Sequence, residues 1–154
     1  MQPPTIVSPG AAAMDAAQAQ PVPWRLLVGL FSGGAVVVLD FFIVLACLPS
    51  IGTALGASAS QLQLVMAVYA IANGSLLVVG GRLGDAHGRG RVFRWGLVGF
   101  ALASAACGLA GSALALILFR VVQGVFGALL QPQVLGLIAV NTRPLQRPRM
   151  FGLY

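Results

Sequence analysis

The chain has 154 residues, of which 58% are hydrophobic and only 8% charged, and its mean hydropathy is +0.94. Those proportions exclude an ordinary soluble domain of this size. The net charge of +6 comes from nine arginines against three aspartates, with no lysine and no glutamate; alone it would suit a nucleic-acid partner, so the positions of the arginines have to decide.

Residues 1–23 are rich in Ala, Gln and Pro, and no positive charge precedes an apolar stretch as a signal peptide requires. This stretch reads as a disordered cytoplasmic tail. Four apolar segments follow, each near the roughly 20 residues that a membrane-crossing helix needs. The first covers about 26–48 and is expected to stop at Pro49, with an uncharged turn over 50–60. The second covers about 61–81 and opens on Ser60 and Gln63, the spacing of a capping box. The third covers about 92–110 and the fourth about 113–140, the latter containing Pro132. Gly111 and Ser112 leave almost no loop between them, which predicts a tight hairpin. Residues 150–154 read as the start of a fifth helix that is cut off. The fold class expected is all-α, a polytopic membrane bundle. Cys47 and Cys107 lie inside apolar runs without metal-ligand spacing and read as small core residues.

The arginines are distributed unevenly among the connections. Arg25 precedes the first segment, Arg82, Arg89, Arg91 and Arg94 flank the connection after the second, and Arg143, Arg147 and Arg149 follow the fourth. The other two connections carry no charge. Such asymmetry puts the N-terminus and the arginine-bearing connections in the cytoplasm. It also removes the nucleic-acid reading, because the charges bracket membrane spans and form no groove with interleaved aromatics.

Two ionisable side chains remain within the spans, Asp40 in the first and Arg120 in the fourth. Charges are costly in lipid and face a bundle interior or a wet cavity, which makes each a functional candidate. Both fall at similar depth, and opposite charges at similar depth can couple. A carboxyl held out of water protonates more readily than one in solution, the property a proton-exchanging Asp40 would use. On the fourth segment Gly124, Gly127 and Gln131 follow Arg120 at helical spacing, with Gln123 alongside, making a stripe that should face protein or water. The glycines of that stripe read first as close-packing positions. Tyr69 and Asn73 share a face of the second segment and are candidates for lining the same cavity, or for packing.

Residues 81–91 read Gly-Arg-Leu-Gly-Asp-Ala-His-Gly-Arg-Gly-Arg. Their glycines permit a sharp turn, Asp85 offers an acceptor to nearby arginines, and the arginines hold the turn at the interface. This stretch resembles the signature between the second and third helices of the major facilitator superfamily, G-x-L-x-D-x-x-G-R-x-R. Leu39-Asp40-Phe41-Phe42-Ile43-Val44, ending in Leu48-Pro49, is similar to the first-helix motif of the fourteen-helix drug:proton antiporter branch. Gln61-Leu62-Gln63 with Tyr69 is similar to the start of its second helix. Arg120-Val121-Val122-Gln123-Gly124 resembles the fourth-helix motif R-x-x-Q-G. The matches span about residues 39–149 in the right order. Ala86 and Gly90 depart from positions that are usually basic, Leu45 from an asparagine and Leu64 from a tryptophan.

The resemblance implies part of the N-terminal six-helix bundle of such a transporter, over 24–149. It implies proton-driven export of small hydrophobic or cationic compounds by alternating access, in a bacterial inner membrane. No bound cofactor is required, since the proton gradient supplies the energy. Gly81, Asp85, Gly88, Arg89 and Arg91 would be conformational residues, and Arg120 would take part in proton coupling with Asp40 as its partner. Residues 1–154 hold no second bundle, so the missing C-terminal helices of the same transporter are implied partners, beside the lipid bilayer and a small-molecule substrate. Two other readings fit the same four spans: a small four-helix drug carrier acting as a dimer, and a remnant that transports nothing. The chain shows no nucleophile paired with a base, no metal cluster, and no Gly-Lys-Ser/Thr ending to the glycine-rich stretch, so an enzyme is not expected.

Overall fold

The computed structural model describes the backbone over residues 24–141 and the side chains of residues 29 and 31–137. The tail over 1–23, the side chain of Arg25, the arginines at 143, 147 and 149 and the start of a fifth helix lie outside these. Four helices make up the described chain: α1 (Trp24–Leu55), α2 (Ala59–His87), α3 (Arg89–Gly108) and α4 (Ala113–Asn141). There is no strand among the described residues.

The helices are longer than the apolar runs, and their ends are set by local chemistry. α1 passes through Pro49 and ends at Leu55, seven residues beyond the expected stop at Leu48. Proline removes one backbone donor, and a long apolar helix in lipid tolerates that loss. The Thr53 hydroxyl donates to Ser50 O at 2.9 Å just after the proline. The true stop is Gly56, whose φ of +59° lets Ala57 N–H reach back to Gly52 O at 3.0 Å and close the helix end. Only Ala57 then separates this end from Ser58, so the capping box falls on Ser58 and Gln61 rather than Ser60 and Gln63. Ser58 N–H donates to Gln61 Oε1 at 2.9 Å, and Gln61 N–H donates to Ser58 Oγ at 3.3 Å.

The glycine-rich stretch over 81–91 also differs from expectation, because it is helical except at one residue. α2 continues to His87, Gly88 alone turns the chain with φ +90°, and α3 starts at Arg89. Gly81 and Gly84 therefore serve packing within α2. At the opposite end residues 109–112 make the short hairpin, with Ala115 N–H donating to Ser112 Oγ at 3.2 Å.

α4 is the centre of the bundle, packed along α2 and α3, while α1 touches its neighbours more lightly. Val37, Tyr69, Phe100 and Leu130 form the buried core, with Phe41, Phe93 and Phe126 against it. Large apolar side chains such as Ile71, Val78, Val98, Leu102, Leu114 and Leu118 face outward, whereas Asn73, Arg120, Gln123 and Gln133 are buried. Polar groups inside and hydrocarbon outside is the distribution that lipid imposes. By length and composition α1 (over Phe31–Leu55), α2 and α4 (over Ala113–Leu137) can cross a membrane. α3 is outside that set, since its 20 residues include Arg89, Arg91 and Arg94 in the first two turns. Cys47 is exposed and Cys107 half-buried, so the expected core role fails for Cys47, which lies on a wall of a cleft between α1 and α3.

Candidate functional site

Asp40 and Arg120 meet. Arg120 Nη1 donates to Asp40 Oδ2 at 2.6 Å, although the residues stand on different helices and 80 positions apart. Gln123 closes a triangle: its Nε2 donates to Asp40 Oδ1 at 2.7 Å, and its Oε1 accepts from Arg120 Nη1 at 2.8 Å. The spacing from Arg120 to Gln123 is one helical turn, so both side chains can reach a single carboxylate across the interface. Arg120 is fully buried, and the Asp40 side chain is 12% exposed. A guanidinium so placed needs several partners. Arg120 Nε donates to Val65 O at 3.4 Å, and its Cζ lies 4.1 Å from the centre of the Tyr69 ring, within cation–π reach. Arg120 Nη2 is buried and has no hydrogen-bond partner among the described residues. Cys107 Sγ donates to Gln123 Oε1 at 3.6 Å, tying α3 to the same group.

The stripe glycines make this approach possible. A Cβ on Gly124 would stand 2.7 Å from Tyr69 O, a backbone atom that cannot yield, so only glycine lets α2 come close enough to place Tyr69 under Arg120. Gly127 likewise leaves room for Asn73, whose Nδ2 donates to Tyr69 Oη at 3.5 Å.

Tyr69, Asn73 and Gln131 come together on one cavity between α1, α2 and α4, about 280 Å³ in volume and walled also by Val37, Phe41 and Phe42. Asp40 does not line this cavity. It borders two clefts between α1 and α3, one of about 490 Å³ and one of about 430 Å³. Tyr69 is the link, with Arg120 over its ring and the residue itself in the cavity wall.

A second cluster gathers where α2 meets α3. Arg89 Nη2 pairs with Asp85 Oδ1 at 2.6 Å, one turn apart, with side chains 29% and 62% exposed. The same guanidinium donates from Nη1 to Pro132 O on α4 at 3.2 Å, filling space left by Gly136. Gly88 makes the turn and Gly81 lies against Pro132, while Arg91 is exposed and takes no part. His87 is exposed, its ring 6.4 Å from that of Trp95. Gln133 was not legible as a site residue: it lies off the Arg120 stripe, yet it is fully buried, its Nε2 donating to Gly80 O at 2.7 Å. A glutamine next to Pro132 in a long apolar run was the one available signal. Among the described residues no three His, Cys or Asp side chains gather as a metal site would require.

Comparison with known proteins gives a consistent result. The family model described as Major Facilitator Superfamily matches residues 30–154. The tetracenomycin C resistance and export protein of Streptomyces glaucescens is 40% identical over 132 residues, 86% of this chain and 24% of that protein. The puromycin resistance protein of Streptomyces alboniger is 43% identical over 85% of this chain and 26% of its own length. The multidrug export protein EmrB of Escherichia coli K12 is 35% identical over 76% and 23%. The chain thus spans about a quarter of the length of these relatives. A multi-pass membrane protein of a transporter family, with no place among enzymes, accounts for the helices, their apolar surface and the match: the chain belongs to the major facilitator superfamily.

Proposed function

We propose that these four helices are the N-terminal part of a drug exporter that moves small hydrophobic or cationic compounds outward in exchange for protons, by alternating access. The observation that carries this reading is the buried Asp40–Arg120–Gln123 triangle in a chain whose relatives are named for export and resistance. A proton on Asp40 would cancel the charge that holds Arg120 Nη1. The guanidinium, already short of a partner at Nη2, would then be free to re-pair as the bundle moves. Tyr69, Asn73 and Gln131 offer a compound hydroxyl and amide contacts among aromatic walls, coupled to Arg120 through the Tyr69 ring. Asp85 and Arg89, clamped on Pro132, act as the conformational pair, with Gly88 turning the chain beside them and Gly81 packed against Pro132.

The arginine distribution supports an N-terminus and an α2–α3 connection in the cytoplasm of a bacterial cell. The partners are the bilayer, the exported compound and the remaining helices of the same transporter. Asp40→Asn in the complete transporter tests this directly. Proton-linked efflux from inverted vesicles should vanish while the protein still inserts, and efflux with an unchanged pH dependence would remove Asp40 from the mechanism.

A further inference from the structure

Gln133 is the least expected polar side chain in the bundle. It is fully buried, its Nε2 spans from α4 to Gly80 O on α2, and its Oε1 has no donor among the described residues. Leaving a buried acceptor unpaired is costly, and such groups in native structures call for a reason. The surroundings supply one. A Cβ on Gly84 would overlap the Gln133 carboxamide, so the amide sits in a notch that only glycine leaves open. A Cβ on Gly80 would overlap Ala128 O, the carbonyl that Pro132 deprives of its helical donor. The neighbouring residue Pro132 gives its own carbonyl to Arg89. Two consecutive residues of α4 therefore hold the end of α2 and the start of α3, one through its backbone and one through its side chain.

We propose that Gln133 is a positioning residue of the transport cycle: its amide, keyed into the Gly84 notch and tied to Gly80 O, fixes α2 against α4 so that the Arg89 clamp on Pro132 can form. The role rests on reading Asp85 and Arg89 as a conformational pair. The glycine at 84 is then needed because of Gln133. A methyl there forces the amide out and breaks the same bond that Gln133→Met removes, so the two substitutions act through one contact.

The test uses the chain in lipid nanodiscs, with Cys47 and Cys107 replaced by alanine and spin labels on cysteines at the exposed positions Arg82 and Leu135. A narrow distance distribution should broaden in Gln133→Met and equally in Gly84→Ala, and the double variant should be no broader than either single one. In the complete transporter, Gln133→Met should lower turnover about tenfold per folded molecule and leave KM for the exported compound within about twofold, because the cavity walls are untouched. A purely structural role would reduce the amount of folded protein and leave turnover per molecule unchanged. An unaltered distribution in Gln133→Met, additive broadening in the double variant, or unchanged turnover would each overturn the assignment. Normal transport by Asp85→Asn together with broadening in Gln133→Met would sink the conformational reading of the loop and still support the α2–α4 key.

Discussion

Removing one member of the Asp40–Arg120 pair should destabilise the bundle far more than removing both. In Arg120→Met the carboxylate loses its 2.6 Å partner and keeps only Gln123 Nε2; in Asp40→Leu the fully buried guanidinium keeps Gln123, Val65 O and the Tyr69 ring. Stripping one side of a buried pair costs about 3–5 kcal/mol, because the remaining charge is uncompensated. In the double variant no charge is left. The loss is then that of the hydrogen bonds to Gln123 and Val65 O, worth about 0.6 kcal/mol each on average between helices in a membrane. The double variant should therefore unfold no more easily than either single one, with a coupling of at least about 2 kcal/mol. The assay is unfolding of the chain in mixed micelles by titration with dodecyl sulfate, followed by circular dichroism. Additive single effects, with a coupling under about 0.5 kcal/mol, would refute the claim that the two charges balance each other within the bundle.

Three further outcomes follow from local geometry. Gly124→Ala should cost about 1–3 kcal/mol in the same titration, because its methyl meets the Tyr69 carbonyl and α2 must retreat. Ser58→Ala should cost about 1 kcal/mol by removing the cap of α2, measured as earlier fraying in amide hydrogen exchange over residues 59–62. Gly88→Ala should cost about 1–3 kcal/mol, since a side chain is strained at φ +90° and ψ 121°, and faster proteolysis at the α2–α3 turn would report it.

The sequence carried the class of fold because lipid is an unforgiving solvent. Four long apolar runs have few alternatives to helices, and the two charges within them have few alternatives to each other. The helix ends were less legible. Pro49 is the stronger breaker in water, whereas Gly56 governs here because it alone can adopt the conformation that closes the helix end. The spacing Ser-x-x-Gln occurs twice, at 58–61 and 60–63, and only the position of the preceding stop selects the first. Within the site, Arg120, Gln123 and Gln131 follow one stripe, but Gln133 does not. A stripe analysis assumes one buried face, and α4 is packed by α1, α2 and α3, so most of its circumference is interior.

The two ion pairs have the same length and opposite energetic characters, and that difference fits the separate roles proposed for them. Asp85–Arg89 is a one-turn pair with the carboxylate 62% exposed, a class worth about 0.3–0.5 kcal/mol. Water can replace it at almost no cost, so what holds Arg89 in place is its bond to Pro132 O and its seat over Gly136. A clamp of this kind can open and close during a cycle. Asp40–Arg120 has its guanidinium fully buried and its carboxylate only 12% exposed, so separating it is costly unless something neutralises or replaces a partner. Salt should distinguish them: raising ionic strength from 0.05 to 0.5 M, as order-of-magnitude settings, shortens the screening length to about 4 Å and weakens only exposed charges. Infrared spectra of the chain should then show the carboxylate of Asp85 responding to salt and that of Asp40 unmoved, identified by Asp85→Asn and Asp40→Asn. Equal responses would mean that Asp40 is open to solvent, and the case for it as a gated proton site would fail.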